Sequence, residues 1–247
     1  MDARANEPVV PKAITEHPPY RVKHPIMCQG WTRLTFLHWS YRPERIRPLI
    51  PRELELDTFE GRAWIGLTPF FLTGLRPPIG PALPWISQFP EMNVRTYVRG
   101  PDGERGIWFF SLEADRLAAV AGARLSYGLP YRWAMMRVKY QRDRVEYDSR
   151  RHHGEGYARI AIRPESPILP SERELFLTAR FRLYTRLFGR LAFAQVEHPP
   201  WPLESAVLLH LEQNVIQHSD VSAPEGDPLI HFSPGVYVRV GRPRFVV

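Results

Sequence analysis

The chain has 247 residues, of which 44% are hydrophobic and 12% aromatic, and this excludes a disordered tail or a small disulfide-stapled domain. Its single cysteine, Cys28, excludes an internal disulfide and a cysteine-based zinc cluster, so we expect a reducing, cytoplasmic location. No apolar run reaches the roughly 18–20 residues of a membrane span, and residues 1–11 lack the apolar core of a signal peptide. No membrane partner is therefore expected.

The formal net charge of +7 is carried mainly by arginine, because only Lys12, Lys23 and Lys139 are lysines. The arginines are scattered along the chain, and their densest cluster is the short run at 150–153 (RRHH). The sequence shows no recognition helix, no aromatic RNA-binding strand and no zinc-finger spacing. The sequence therefore predicts a basic surface and no nucleic-acid partner.

Short β-rich segments, separated by turns rich in proline and glycine, dominate the chain and predict a barrel or a sandwich. The predicted strands are residues 31–41, 62–75, 92–99, 107–112, 132–141, 145–149, 157–163, 180–186, 191–197, 204–211 and 229–240. The turn at 100–103 (GPDG) joins two of them as a hairpin. With no repeat or linker, we expect one domain over 25–247, preceded by a partly ordered extension over 1–24.

Three short helices are predicted between the strands. One begins at Pro43 and is stopped by the prolines that follow, and a second covers 116–124 with Asp115 as its cap. A capping box at 171–174 (SERE) opens the third toward Ala179. A weaker helical pattern covers 212–217.

Motifs for common chemistry are missing. The sequence contains no GxGxxG, GxxxxGK[ST], HExxH, GxSxG or CxxC pattern, so no cofactor is expected. The nine histidines show no paired ligand spacing, so no metal site is expected either. Cys28 is interpreted as a buried, unreactive thiol.

Polar side chains alternate with apolar ones in the predicted strand at 92–99 and just before it. Because the side-chain period of a strand is two, Glu91, Asn93, Arg95 and Tyr97 share one face. In an enclosed barrel this face would be the wall of a polar pocket. On a one-sided sheet it would be a solvent-facing stripe, and the alternation fits both.

A second polar cluster follows the helix predicted at 116–124. There Gly128 and Pro130 turn the chain into a strand that starts with Tyr131, Arg132 and Trp133. Loops that leave a rigid barrel commonly carry binding groups. The alternative is that Tyr131 and Trp133 pack while Arg132 extends to solvent.

Several sequence runs together resemble the bacterial YqjF-like family, a domain family of unknown function. They are LTFLHW at 34–39, YRPE at 41–44, LIP at 49–51, GRAW at 61–64, NVRTY at 93–97, GLPY at 128–131, EHPPWP at 197–202 and FSPGV at 232–236. The resemblance spans about residues 25–243. More distantly it reaches the acetoacetate decarboxylase superfamily, which implies a mainly β (α+β) fold: a closed, cone-like β-barrel with short flanking helices and an interior pocket.

The resemblance also bears on the chemistry. Acetoacetate decarboxylases form a Schiff base through a lysine that directly follows a proline, in a segment led by arginine. Arg124 and Pro130 match that frame, whereas Tyr131 and Arg132 occupy the positions of the lysine pair. Arginine cannot replace lysine as the nucleophile, because its guanidinium stays protonated. One pocket carboxylate of the superfamily corresponds to Glu91.

Two functions remain open, and both use an interior pocket. The first is a small-molecule-binding barrel without the Schiff-base lysine, whose ligand is an anionic or carbonyl-bearing metabolite. The second is a lyase or isomerase that acts on a keto acid or related carbonyl compound by acid–base chemistry through Glu91 and Tyr131. A homo-oligomer is left open. The residues expected to bind the ligand are Asn93, Arg95, Arg124, Arg132, Trp64 and Trp108.

Glu91 is the residue on which the pocket hypothesis chiefly depends. We expect it to face the cavity with Arg95 or another arginine close enough to balance its charge.

Overall fold

A computed structural model describes residues 11–82, 85–141 and 143–246. The strands in these ranges are β1 (Pro25–Tyr41), β2 (Glu55–Leu56), β3 (Ala63–Arg76), β4 (Phe89–Arg99), β5 (Arg105–Ala114), β6 (Tyr131–Gln141), β7 (Arg144–Arg151), β8 (Tyr157–Pro167), β9 (Arg182–Leu187), β10 (Arg190–Glu197), β11 (Glu204–Gln213), β12 (Leu229–Gly241) and β13 (Arg244–Phe245). All eleven predicted strands are confirmed. The two that the sequence missed, β2 and β13, have only two residues each.

The α-helices of these ranges are α1 (Pro43–Ile46), α2 (Leu117–Tyr127) and α3 (Glu172–Thr178). The capping box of α3 is confirmed, with Ser171 and Glu174 bonding each other's backbone amides. The predicted cap of α2 is wrong: Arg116 occupies the N-cap position, and the Asp115 carboxylate pairs with the Arg116 guanidinium at 2.5 Å. None of the helices in the described ranges has the length and apolar character that crossing a membrane requires.

The weak helix at 212–217 is also wrong. Glu212 and Gln213 end β11 and pair with Arg159 and Ala158 of β8, so they are extended. Only a single 3₁₀ turn follows, at Gln217–Ser219.

Hydrogen bonding between strands closes the sheet into a ring. The order β5-β6-β7-β8-β11-β12-β1-β3-β4 returns to β5, because β4 and β5 pair through the hairpin predicted at 100–103. This confirms a mainly β, closed architecture. The interior of the ring is largely apolar and contains residues such as Leu37, Ile65, Met92, Val94 and Ile160, beside a buried ion pair between Glu113 and Arg151.

A second closed circuit shares five strands with the first. The pairs β5–β9 and β10–β12 connect β5, β9, β10, β12, β1, β3 and β4 into a smaller ring. The strands β12, β1, β3, β4 and β5 therefore separate two interiors. On β4, Met92 and Val94 face the apolar core of the first ring, whereas Glu91, Asn93 and Arg95 face the second interior.

Residues 11–24 contain no helix or strand but contact the barrel. The backbone amide of Lys12 donates to the carbonyl of Gly103, and Val22 is buried. The division into an extension over 1–24 and a domain over 25–247 stays a prediction, and residues 1–10 lie outside the described ranges.

Candidate functional site

The second interior holds a cavity of about 100 Å³. Its lining comes from β1, β3, β4, β5, β6, β9, β10 and β12, from α2 and α3, and from loop residues such as Trp201. Apolar side chains make up most of the lining, with a few polar groups aimed into it. This composition is typical of a small-molecule site.

Glu91 and Tyr131 meet in the cavity wall. The Tyr131 hydroxyl donates a hydrogen bond to Glu91 Oε2 at 3.0 Å. Burial raises the pKa of Glu91 from 4.5 to about 8, although the bond from Tyr131 lowers it. At neutral pH the Glu91 side chain is therefore a protonated, uncharged carboxyl that can both donate and accept a hydrogen bond.

Arg95 does not balance the charge of Glu91, so that expectation is wrong: in the described residues no arginine lies within 4 Å of the Glu91 carboxyl. Four residue steps along the strand place the two Cα atoms about 13 Å apart, and Arg95 turns away. Its Nη2 lies 3.5 Å from the carbonyl of Leu177, and its guanidinium packs on the rings of Phe36 and Tyr97. The Arg95 guanidinium is thus buried without a carboxylate partner among the described residues.

The lining also contains two more buried arginines and a histidine that are not among the predicted site residues. Arg180 and Arg182 flank the start of β9, and His198 follows β10. Burial lowers the pKa of His198 to about 4, so its imidazole is neutral at pH 7. Its Nδ1 lies 2.7 Å from the carbonyl oxygen of Pro199, which can only accept, so Nδ1 carries the proton.

Polar atoms in the cavity wall lack partners within the described protein. They include Gln29 Oε1, Trp31 Nε1, Thr68 Oγ1, Asn93 Oδ1 and Arg95 Nε. Most buried polar atoms of proteins are hydrogen-bonded, because leaving one unpaired costs about 1–3 kcal/mol. Such atoms gathered around one cavity are suited to receive the polar groups of a ligand.

Comparison with known proteins places the chain in a family. The model of DUF2071, described as an uncharacterized conserved protein, matches residues 28–237. The chain belongs to the DUF2071 family. It is also 40% identical over 212 residues to the uncharacterized protein YqjF of Bacillus subtilis (strain 168), covering 84% of this chain and 87% of that protein. The predicted YqjF-like membership is confirmed.

Solved structures show the same fold as this DUF2071 chain at low sequence identity. Acetoacetate decarboxylase from Legionella pneumophila superposes with a TM-score of 0.64 at 16% identity, covering 100% of this chain and 98% of that one. The enduracididine biosynthesis enzyme MppR, complexed with pyruvate, gives a TM-score of 0.65 at 13% identity, covering 92% and 93%. The predicted acetoacetate decarboxylase-like barrel is therefore confirmed.

Four of the predicted site residues line the cavity, namely Glu91, Asn93, Arg95 and Tyr131. Glu91 and Asn93 are 5% exposed and Arg95 is 7% exposed, so the polar face of β4 is not a solvent-facing stripe. Their roles in binding and catalysis stay predictions. Tyr97 shares this face but lies deeper, where its hydroxyl donates to the carbonyl of Leu177 at 2.7 Å.

The other four predicted residues lie outside the cavity lining, which corrects the sequence analysis. Arg132 is exposed because it alternates with the inward-facing Tyr131, and the Arg124 guanidinium donates to the backbone carbonyl of Tyr131. Trp64 packs against the cluster of Tyr97, Phe176 and Leu177. Trp108 packs in a separate apolar cluster around Tyr184.

No lysine lines the cavity. All three lysines of the chain, Lys12, Lys23 and Lys139, are exposed on the surface. Within the described residues, no group of three histidine, cysteine or carboxylate side chains is arranged to hold a metal ion.

Proposed function

We propose that the cavity binds a small carboxylate-bearing carbonyl compound, with the Arg95 guanidinium as the anchor for the carboxylate. One observation carries this proposal: Arg95 is 93% buried, lines the cavity and has no carboxylate within 4 Å among the described residues. A buried charge without a partner is costly, and a ligand carboxylate would supply the partner. A guanidinium is suited to this because its donors match both carboxylate oxygens.

The size of the cavity limits the ligand. An engineered apolar cavity of about 150 Å³ holds benzene, so a cavity of about 100 Å³ limits the ligand to about six non-hydrogen atoms at most. Pyruvate has this size. Its presence in the structure of MppR makes it a reasonable first probe for this chain.

The other end of the ligand would meet Glu91, Asn93 and Tyr131. A protonated carboxyl donates a hydrogen bond to a carbonyl oxygen, which an ionised carboxylate cannot do. Since Glu91 is protonated at neutral pH and bonded to Tyr131, this end of the cavity is suited to a carbonyl group rather than to a cation.

A second candidate function is proton transfer to or from such a carbonyl compound. It is favoured by the pKa of Glu91, which at about 8 lies near physiological pH and so suits a general acid or base. The chemistry would not use a Schiff base, because the lining contains no lysine. In this role the Glu91 carboxylate takes a proton from the carbon next to the ligand carbonyl and returns it there.

The test of binding is calorimetric titration with pyruvate. Arg95→Gln should weaken binding at least about tenfold, because it removes a buried charge-assisted hydrogen bond. The matched control is Arg132→Gln, which removes an exposed arginine outside the cavity and should leave the affinity unchanged. Failure of pyruvate to bind, or equal binding by Arg95→Gln, would contradict the proposal.

The test of proton transfer is exchange of the pyruvate methyl protons in deuterated water, followed by proton NMR. If Glu91 is the base, the exchange rate rises as pH passes through about 8, and Glu91→Gln abolishes exchange while pyruvate still binds. Exchange at the buffer rate in the wild type would remove the enzymatic candidate and leave the binding function intact.

A further inference from the structure

The positive charge of the cavity wall exceeds what one carboxylate can balance. Arg95, Arg180 and Arg182 line the cavity and are all more than nine-tenths buried. The one carboxyl in the lining is that of Glu91, which is protonated at neutral pH. In the described residues, the wall therefore presents three cations and no anion.

Of these three arginines, Arg180 has the fewest hydrogen bonds to the described protein. Its nearest carboxylate is Asp57, whose Oδ2 lies 3.0 Å from Arg180 Nη1, but all three guanidinium nitrogens lack a hydrogen bond to the described protein. Asp57 also contacts Arg105 at 2.5 Å and Arg99 at 3.6 Å. Asp57 is thus shared by three arginines, so its single negative charge does not fully neutralise Arg180.

Arg95 and Arg180 lie on the same aromatic side chain. The Cζ atom of Arg95 is 5.9 Å from the centre of the Tyr97 ring, and that of Arg180 is 4.9 Å from it. The hydroxyl of Tyr97 is fixed by the carbonyl of Leu177, so both guanidiniums lie against one fixed ring. They form a pair of anchors rather than two isolated charges.

The carboxylates that pair with these arginines outside the cavity lining do not balance the positive charge. Within the described residues these charges form two separate ion-pair groups and one arginine without a carboxylate. The group of Arg180 has an excess of one positive charge, the group of Arg182 is balanced, and Arg95 adds one more, so the total excess is two positive charges. The cations are Lys12, Arg95, Arg99, Arg105, Arg180 and Arg182, and the carboxylates are Glu55, Asp57, Asp102 and Glu104. Buried charge that protein groups leave unbalanced is matched most simply by a bound anion of the same magnitude.

We infer that the ligand is a dianion, such as a small dicarboxylate, whose first carboxylate binds Arg95 and whose second binds Arg180. Asp57 acts as a positioning residue that holds the Arg180 guanidinium toward the cavity without neutralising it. This inference rests on the proposed function, because it assumes that the cavity binds a carboxylate at Arg95. It adds the second charge and the residue that recognises it.

The experiment compares two probes of nearly equal shape by calorimetric titration at pH 7. Malonate carries two carboxylates, whereas malonamate replaces one of them with an uncharged amide. The wild type should bind malonate at least about tenfold more tightly than malonamate, because the second carboxylate gains a charge-assisted contact with Arg180.

Variants assign the two charges. Arg180→Gln should reduce malonate affinity to the level of malonamate and leave malonamate binding within about threefold, whereas Arg95→Gln should weaken both probes. Arg180→Lys keeps the charge and should retain the preference for malonate. The exposed control Arg132→Gln should change neither affinity.

The outcomes separate the two proposals. Equal binding of malonate and malonamate by the wild type would overturn the dianion while leaving the carboxylate function intact, and this comparison needs no variant to fold. Equal weakening of both probes by Arg180→Gln would show that the two arginines grip one carboxylate, which also overturns the dianion. If malonate fails to bind although pyruvate binds, the dianion is overturned, and if pyruvate fails to bind, the proposed function itself fails.

Discussion

Replacing Glu91 with glutamine should make the protein less sensitive to high pH, so that its stability relative to the wild type increases as the pH rises. Burial raises the pKa of the Glu91 carboxyl to about 8 in the folded protein, whereas in the unfolded chain it returns to 4.5. Between these values the folded protein keeps the proton and the unfolded chain has lost it. The free energy of unfolding therefore falls by up to about 1.4 kcal/mol for each unit that the pH rises, and levels off above pH 8.

The size of the stability loss follows from the pH range between the two pKa values of Glu91. Below pH 4.5 both states are protonated, so the stability that the neutral carboxyl contributes is fully present there and is lost as pH rises through 8. From pH 5 to pH 9 the loss amounts to about 4 kcal/mol. Glu91→Gln has nearly the same shape, can still accept the bond from Tyr131 and does not ionise, so it escapes this loss.

The assay is urea denaturation of wild type and Glu91→Gln at several pH values between 5 and 9. The difference in unfolding free energy should shift in favour of the variant by about 3–4 kcal/mol across that range. Glu165→Gln, at an exposed carboxyl, is the matched control and should show a flat difference. A difference for Glu91→Gln that stays constant within about 0.5 kcal/mol would refute the reasoning, because Glu91 would then be ionised throughout.

Three further predictions concern the cavity and the helix beside it. Borohydride trapping with acetoacetate should give no covalent adduct, because no lysine lines the cavity. The three lysines, Lys12, Lys23 and Lys139, are exposed. An adduct on any of them that tracks decarboxylation would contradict the lysine-free site. Tyr131→Phe should raise the pKa of Glu91 further, because it removes the hydrogen bond that lowers this pKa. Carbon-13 NMR of the labelled Glu91 carboxyl measures the pKa. A lower pKa in the variant would be inconsistent with the observed contact. Ser171→Ala should cost about 1 kcal/mol in urea denaturation by breaking the capping box of α3, and a change below about 0.3 kcal/mol would show that the box contributes nothing.

Strand positions were predictable because they depend on local patterns. Alternating apolar residues bounded by proline and glycine turns located eleven strands, and the period of two placed Glu91, Asn93 and Arg95 on one face of β4. The same pattern could not decide whether that face met solvent or a cavity. The answer depends on the pairings β5–β9 and β10–β12, which join distant parts of the chain.

The partner of Glu91 was mispredicted for a geometric reason. Two residues on one face of a strand need not touch, and four positions of extended chain are too long for a direct ion pair unless both side chains fold toward each other. Tyr131, which pairs with Glu91, comes from another strand. Arg180 and Arg182 were missed although a signal existed: they alternate around Phe181 in a predicted strand, so they share a face.

His198 and Trp201 were missed in a different way. Both lie in the EHPPWP run that contributes to the family resemblance, and their spacing alone does not indicate a pocket. In the structure the run follows β10, and both rings line the cavity. A conspicuous run of proline, histidine and tryptophan after a predicted strand was the available sign.

The placement of β4 between two interiors has a consequence for how this protein can change over evolution. Odd-numbered positions from 91 to 95 face the cavity, and the even-numbered positions 92 and 94 pack in the apolar core of the larger ring. A substitution at an odd position alters what the cavity recognises, and one at an even position alters how tightly the barrel is packed. Ligand preference can therefore drift through successive single substitutions on one strand while the packing that maintains the fold stays under separate selection.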